Sequence, residues 1–310
     1  GWWAEPEASS TNNKYEEQIN ELKQFFNDAS FYAKSKEKSE KNLRLEAMNC
    51  VFNGTANLYV HVDYVKDIIA SGILPEGSLQ LVSGLGRGIL DHVDLEDTVT
   101  FTGSAHTGKV LKALPQFSQK SIPFNLEADS LNATVLGKQA VPGTPEFDLF
   151  IKEAVKEITI KAGQKCTAVR RIIVPEEYLE EVQKGISARL ASTKIGNPSV
   201  EGVRMGALAT KTQVDRVRAS VEELAKSQQI VFGDLDEFEV HGADKNTGTF
   251  FSPILFLNSD PFNKTDCHNI EAFGPVSTIM PYKDMEDAIK LSRMGKGSLV
   301  SSIVTPNDTE

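Results

Sequence analysis

The chain has 310 residues, 40% of them hydrophobic, enough to bury a sizeable core and to form two domains or one large one. Its 43 acidic residues outweigh 33 basic ones for a net charge of −10, and no basic stripe interrupts that balance, so a nucleic-acid partner is excluded from the expected classes. No apolar run approaches the roughly 18 residues of a membrane span, and the start Gly1-Trp2-Trp3-Ala4-Glu5-Pro6 lacks the blocks of a secretory leader; no membrane partner is expected.

Residues 1–61 differ in texture from the rest. Tyr15, Ile19, Leu22 and Phe26 keep a helical spacing, and the Lys/Glu/Ser-rich stretch to Arg44 mixes signs as a solvated helix face does, so the segment reads as helical without a catalytic pattern. From Val62 helices and strands alternate. Val62, Val65, Ile68 and Ile69 make a helical face stopped at Gly72; residues 79–83 and 98–102 read as strands, and residues 107–114 as a helix halted by Pro115. A strand follows over 133–137. Pro145 stands at a first helical position and opens a helix through Phe147, Phe150, Ile151, Ala154, Val155 and Ile158 that closes near Gly163. Beyond Cys166 the pattern predicts strands over 171–174, near Ile230, over 253–257, 277–281 and 299–304, with helices over 175–190, 213–227 and 285–294. Such alternation implies an α/β protein with a largely parallel sheet.

Three cysteines, Cys50, Cys166 and Cys267, stand at irregular intervals without a CxxC pair or ligand-spaced histidines. Neither a disulfide framework nor a metal site is expected, and a reducing, cytoplasmic setting is. Cys166 lies in Gly163-Gln164-Lys165-Cys166-Thr167-Ala168, a loop between helix and strand, where the neighbouring Lys165 cation would favour a thiolate. By residue type alone a buried, inert cysteine is the commoner case. Glu127, in Pro123-Phe124-Asn125-Leu126-Glu127-Ala128-Asp129-Ser130, lies between two apolar runs among small residues and could activate water, or be an ion-paired loop acid.

Gly103 and Ser104 end a strand and precede a helix, a junction whose free N–H groups and dipole suit a pyrophosphate; Ser104 could equally be an ordinary N-cap. Gly84-Leu85-Gly86-Arg87-Gly88 has Ile89 where a dinucleotide fingerprint needs its third glycine, and is set aside. Glu271-Ala272-Phe273-Gly274-Pro275 could offer a carboxylate to a ribose hydroxyl and an aromatic wall to a ring, or simply pack its phenylalanine. His106, just inside the helix, could touch a phosphate but better fits a solvent-facing or capping role, and no histidine is spaced to make a dyad with Cys166, which disfavours a thiol hydrolase.

In this order and with these flanks, the four segments resemble the aldehyde dehydrogenase superfamily. Lys120-Ser121-Ile122-Pro123-Phe124 followed by Leu126-Glu127-Ala128-Asp129-Ser130-Leu131-Asn132, and Ala162 to Ala168 followed by Arg170-Arg171-Ile172-Ile173-Val174-Pro175, look most like the dehydrogenase domain of its phenylacetate-degradation (PaaZ-type) branch. Ala128 and Asp129 stand where most of the superfamily has two glycines. The resemblance implies an aldehyde dehydrogenase-like α/β fold. Its expected parts are an unassigned helical segment over 1–61, a partial Rossmann-type coenzyme domain over 62–132 and a nucleophile-bearing catalytic domain over 133–310.

Carried over, the resemblance makes Cys166 the nucleophile toward an aldehyde and Glu127 the base for hydrolysis of the resulting thioester. NAD or NADP is the implied cofactor, with Gly103 and Ser104 at the pyrophosphate, Gly108 allowing close helix packing, Glu271 at the nicotinamide ribose and Phe273 beside the ring. The Cys166 N–H is the implied oxyanion donor. The implied substrate is a semialdehyde, in that branch of a coenzyme A thioester, and members are usually homo-oligomeric. The resemblance runs from about Val62 to Pro306. The family's oxyanion-hole asparagine and its ribose-binding lysine have no counterpart upstream, and its closing segment is not found downstream. The expectation is a catalytic chain incomplete at both ends and weakly active, the alternative being an interaction or regulatory fragment; a coenzyme A-acylating enzyme would keep Cys166 without needing Glu127.

Overall fold

The computed structural model describes residues 48–52, 65–83, 88–307 and 309. The helical reading of 1–61 lies outside the described residues except at Met48–Phe52, which form a strand (β1), and the glycine run from Gly84 lies outside them up to residue 87. Two compact units divide between Ala128 and Asp129, shortly before the expected boundary at 132/133. Among the described residues no helix is long and apolar enough to cross a membrane.

In the unit of residues 2–128, β1 pairs in parallel with β2 (Leu79–Ser83). A second parallel pair joins β3 (Val99–Gly103) to β4 (Phe124–Ala128). Ser104 is extended, and its hydroxyl accepts the Thr107 N–H, so helix α1 (Ala105–Lys112) begins ahead of the expected residue 107. Pro115 does not simply stop that helix. It takes the first position of a short second helix, α2 (Pro115–Lys120), where its missing N–H is harmless. Gly108 faces β4: a Cβ there would lie 2.3 Å from Leu126 Cδ1, so any larger residue would have to displace the Leu126 side chain for α1 to stay this close to the strand.

The unit of residues 129–310 is built on a six-stranded sheet of order β12-β5-β6-β11-β10-β9. Its strands are β5 (Asn132–Leu136), β6 (Val169–Pro175), β9 (Gln229–Phe232), β10 (Ile254–Leu257), β11 (Val276–Tyr282) and β12 (Ser301–Val304). All pairings are parallel except β9 with β10. A small parallel pair, β7 (Lys194–Ile195) and β8 (Val203–Met205), has no counterpart in the sequence reading, because two- and three-residue strands carry no periodicity.

Successive residues of the inner strands feed opposite cores. Ile172 and Val174 of β6, Leu255 of β10 and Ile279 of β11 pack with helices α3 (Pro145–Thr159) and α4 (Leu179–Ala191). Ile173, Ile254, Phe256 and Met280 pack on the other side with α5 (Lys211–Leu224) and α6 (Met285–Arg293). Burial on both faces is why these strands read as continuous apolar runs. Thr144 caps α3 ahead of Pro145, and Glu146 and Asp148 face the positive end of its dipole. Pro175 closes β6 in register with Tyr282 and at once caps a 3-10 turn, Glu176–Tyr178, so the helix expected from Pro175 is there, its α-helical part (α4) starting at Leu179.

Candidate active site

Past α3 the chain turns sharply through Lys161 (φ 53°), Ala162 (φ 50°) and Gly163 (φ 68°), two of them non-glycine residues held in the left-handed region before the Cys166 loop. Gly163 leaves no room for a side chain: a Cβ on it would lie 2.1 Å from the Gly274 carbonyl oxygen. The Cys166 thiol is free and exposed on the turn that follows.

That turn is held by its backbone. Asn132, 1% exposed at the start of β5, donates through Nδ2 to the Cys166 and Ala168 carbonyls, both at 2.9 Å. Its Oδ1 accepts the Ser130 hydroxyl (2.6 Å) and the N–H groups of Leu299 (3.1 Å) and Val300 (2.9 Å). Gln164 Oε1 accepts the Ala209 N–H at 2.9 Å. The expected cation beside the thiol is otherwise engaged: Lys165 Nζ binds both carboxylate oxygens of Glu157, at 2.8 and 2.7 Å, which neutralises its charge locally. Among the described residues the Cys166 N–H has no acceptor.

Glu271 and Phe273 lie in the same unit as Cys166. The Glu271 side chain is 6% exposed; Oε2 accepts the Ser130 N–H at 3.2 Å and Oε1 faces Arg170 Nε at 3.4 Å. Burial pushes its carboxyl above the ordinary value, opposed by the Arg170 guanidinium and the Ser130 N–H. Phe273 has Arg170 Cζ 5.6 Å from its ring centroid, and its carbonyl accepts Gln213 Nε2 at 2.8 Å. Arg170, 4% exposed, also donates to the carbonyls of Gly274 and Gly163, both at 2.7 Å. Burial lowers the Arg170 pKa and Glu271 opposes the shift.

The neighbouring Arg171 is fully buried and carbonyl-bound, to Leu131 (2.8 Å), Leu291 (2.6 Å) and Ser292 (3.0 Å). Burial brings its pKa down to about 10, leaving it cationic at neutral pH. It stands 3.2 Å from His268 Nδ1. An arginine must donate, so Nδ1 accepts and Nε2–H donates to the Pro261 carbonyl at 2.9 Å, a neutral tautomer that matches a pKa pushed down to about 4 by burial.

In the other unit, Gly103 and Ser104 are exposed at the β3–α1 junction, with Ser104 Oγ engaged as the cap. The first turn of α1 carries no acid, and His106 is exposed. Glu127 is not on a loop. It lies on β4, exposed and in register with Thr102, because alternation along the strand turns Leu126 toward α1 and its neighbours outward.

Sequence reasoning gave Asn132, Arg170 and Gln213 no role. A signal existed for two of them: an asparagine opening an apolar strand and paired arginines inside Val-Arg-Arg-Ile-Ile-Val are costly when buried and so imply dedicated partners.

Fold and site together define a parallel α/β protein that presents an exposed thiol on a turn entering an interior strand of the sheet. The model of the aldehyde dehydrogenase family matches residues 51–310, and the chain belongs to that family. It is 43% identical over 239 residues to a 3,4-dehydroadipyl-CoA semialdehyde dehydrogenase of Aromatoleum evansii, covering 77% of this chain and 46% of that protein. Similar solved structures include an aldehyde dehydrogenase of Mycobacterium tuberculosis complexed with NAD+ (24% identity, 83% of this chain and 51% of that one, TM-score 0.68). Another is a betaine aldehyde dehydrogenase of Staphylococcus aureus with NAD+ (21% identity, 84% and 50%, TM-score 0.72). The chain spans about half the length of the curated relatives it matches. The family match begins ahead of Val62 and takes in β1 from Val51.

Proposed function

We propose that the chain carries the nucleophile and part of the cofactor-binding surface of a nicotinamide-dependent aldehyde dehydrogenase that oxidises a semialdehyde, of the coenzyme A thioester class found in aromatic-compound degradation. The carrying observation is the exposed Cys166 on a turn fixed through its carbonyl by buried Asn132, with Glu271 and Phe273 on a turn anchored to the same unit. The name of the Aromatoleum evansii relative supports the substrate class.

The residues fit a dinucleotide. The β3–α1 junction offers backbone at Gly103 and Ser104 ahead of a helix without first-turn acids, which favours an anionic group, while Gly108 brings the helix onto β4. Glu271 accepts one hydrogen bond on each oxygen, and a carboxylate has lone pairs left for ribose hydroxyls. When bound, NAD or NADP supplies the acceptor for the hydride lost by the aldehyde carbon.

The remaining work falls to this chain. Cys166 Sγ attacks the carbonyl carbon, and the oxygen takes the negative charge facing the unpaired Cys166 N–H. Loss of hydride from that carbon leaves a thioester on Cys166. Glu127 then takes a proton from water as the water oxygen bonds to the acyl carbon, and the C–S bond breaks to release the acid and return the thiolate. Glu127 disfavours a coenzyme A-acylating enzyme, which needs no such base.

The test is reduction of NAD and of NADP, read by absorbance, with a semialdehyde substrate, alongside thermal protection by each dinucleotide. Turnover lost in Cys166→Ala with dinucleotide protection retained supports the proposal. Turnover that survives Cys166→Ala, or neither turnover nor protection in the parent chain, sinks it and leaves the interaction-fragment alternative.

A further inference from the structure

Arg170 belongs to neither of the two turns that carry candidate site residues, yet it touches both. From β6 its Nη2 reaches the Gly163 carbonyl and its Nη1 the Gly274 carbonyl, both at 2.7 Å, while Nε faces Glu271 at 3.4 Å and the guanidinium lies against the Phe273 ring. Such a set of partners needs donors spread over a plane. A lysine ammonium concentrates its donors on one atom and cannot span them. The two turns are also in direct backbone contact, since a Cβ on Gly163 would meet the Gly274 oxygen and the Pro275 nitrogen. A shift of one turn therefore displaces the other.

We propose that Arg170 is a positioning residue that locks the Cys166 turn to the Glu271–Pro275 turn, so that nucleophile and cofactor contacts keep one relative placement. The meaning given to Glu271 and Phe273 rests on the proposed function; the mechanical coupling of the turns does not. Arg170 acts through others: it fixes the loop from Gly163 that presents Cys166, and it orients the Glu271 carboxylate together with the Ser130 N–H. The Glu271 carboxylate also compensates the guanidinium, which is buried where an unpaired cation would be costly.

The test is hydrogen exchange on the full chain, resolved by peptide, for the parent, Arg170→Lys, Arg170→Gln and Glu271→Gln. Arg170→Lys keeps the charge and guards against the case in which Arg170→Gln fails to fold. In Arg170→Lys, residues 163–168 and 271–276 should exchange about tenfold faster or more, together, while α4 and α5 keep their protection. Alkylation of Cys166 by iodoacetamide, followed on its own peptide, should change in the same variant. Dinucleotide affinity should fall in Arg170→Lys and in Glu271→Gln, with the double variant no weaker than the worse single one, as expected of residues acting as a unit. Faster exchange at one turn only, at neither, or uniformly across residues 129–310 overturns the proposal. Coupled exchange in a chain that binds no dinucleotide would support the lock while the functional reading fails.

Discussion

Replacing Asn132 by alanine should destabilise the unit of residues 129–310 and loosen the Cys166 turn, although Asn132 bonds only backbone carbonyls of that turn. Its amide joins three pieces of chain: the Cys166–Ala168 turn, Ser130 and the Leu299–Val300 approach to β12. Leu299 N–H keeps a second acceptor, Ser130 Oγ at 3.0 Å. The Cys166 and Ala168 carbonyls, the Val300 N–H and the Ser130 hydroxyl lose their Asn132 partner. At about 1 kcal/mol for each group left unpaired, the cost is about 4 kcal/mol. For a unit of this size that is a fall in Tm of roughly 8–16 °C. Calorimetry measures it directly, and alkylation of Cys166 should accelerate in the same variant because the turn has lost its tether. A fall below about 2 °C with unchanged alkylation would refute the argument that Asn132 organises the site.

Gly163→Ala adds a Cβ against the Gly274 carbonyl and a left-handed φ that alanine resists, so it should cost about 3 kcal/mol and accelerate exchange at both turns. His268 gives a pH dependence of defined sign. The unfolded imidazole titrates near 6.5 and the folded one near 4, so the unfolded state binds more protons between them and stability falls as pH drops through that window. The loss attributable to His268 approaches roughly 3 kcal/mol at the acid end. Urea titrations of the parent and His268→Gln at several pH values isolate it, and equal slopes for the two would count against a neutral buried His268. Glu127→Gln should slow turnover by about 10²- to 10⁴-fold while leaving formation of the thioester on Cys166 intact, seen as a single burst of reduced dinucleotide followed by slow release. Loss of the burst as well would show that Glu127 acts before hydrolysis.

Much of the fold was legible because strong patterns recorded it. Pro145 with apolar residues at helical spacing gave α3, and apolar runs gave β5, β6, β10 and β11, since burial on both faces removes polar residues from a strand. Weaker signals misled. Pro115 read as a helix stop, yet it opens α2; Pro175, read as a helix start, both closes β6 and caps the 3-10 turn Glu176–Tyr178 ahead of α4; proline fixes φ, and both positions accept that φ. Glu127 read as a loop residue because Glu-Ala-Asp-Ser after Leu126 hides a five-residue strand whose partner, β3, lies well upstream. The site was legible as motifs and illegible as a network. Cys166, Glu271 and Phe273 stood out by their neighbours in sequence, whereas Asn132 and Arg170 showed only as polar residues in apolar strands, since the backbone groups they bind leave no mark in a sequence.

That difference bears on how the turn can be both exposed and ordered. Cys166 is exposed, so its own side chain does not pack it in place. Its position is instead set from beneath, by Asn132 on the carbonyls of the turn and by Arg170 on the carbonyl of Gly163. Both anchors start from neighbouring interior strands, β5 and β6, and both are buried among apolar residues where a hydrogen bond is costly to leave unmade. The left-handed residues Lys161 and Ala162 persist on the same account: a strained turn survives only where its surroundings over-determine it. Order at Cys166 is therefore a property of the sheet beneath it, and substitutions that disturb it are to be sought at the strand ends as much as in the loop.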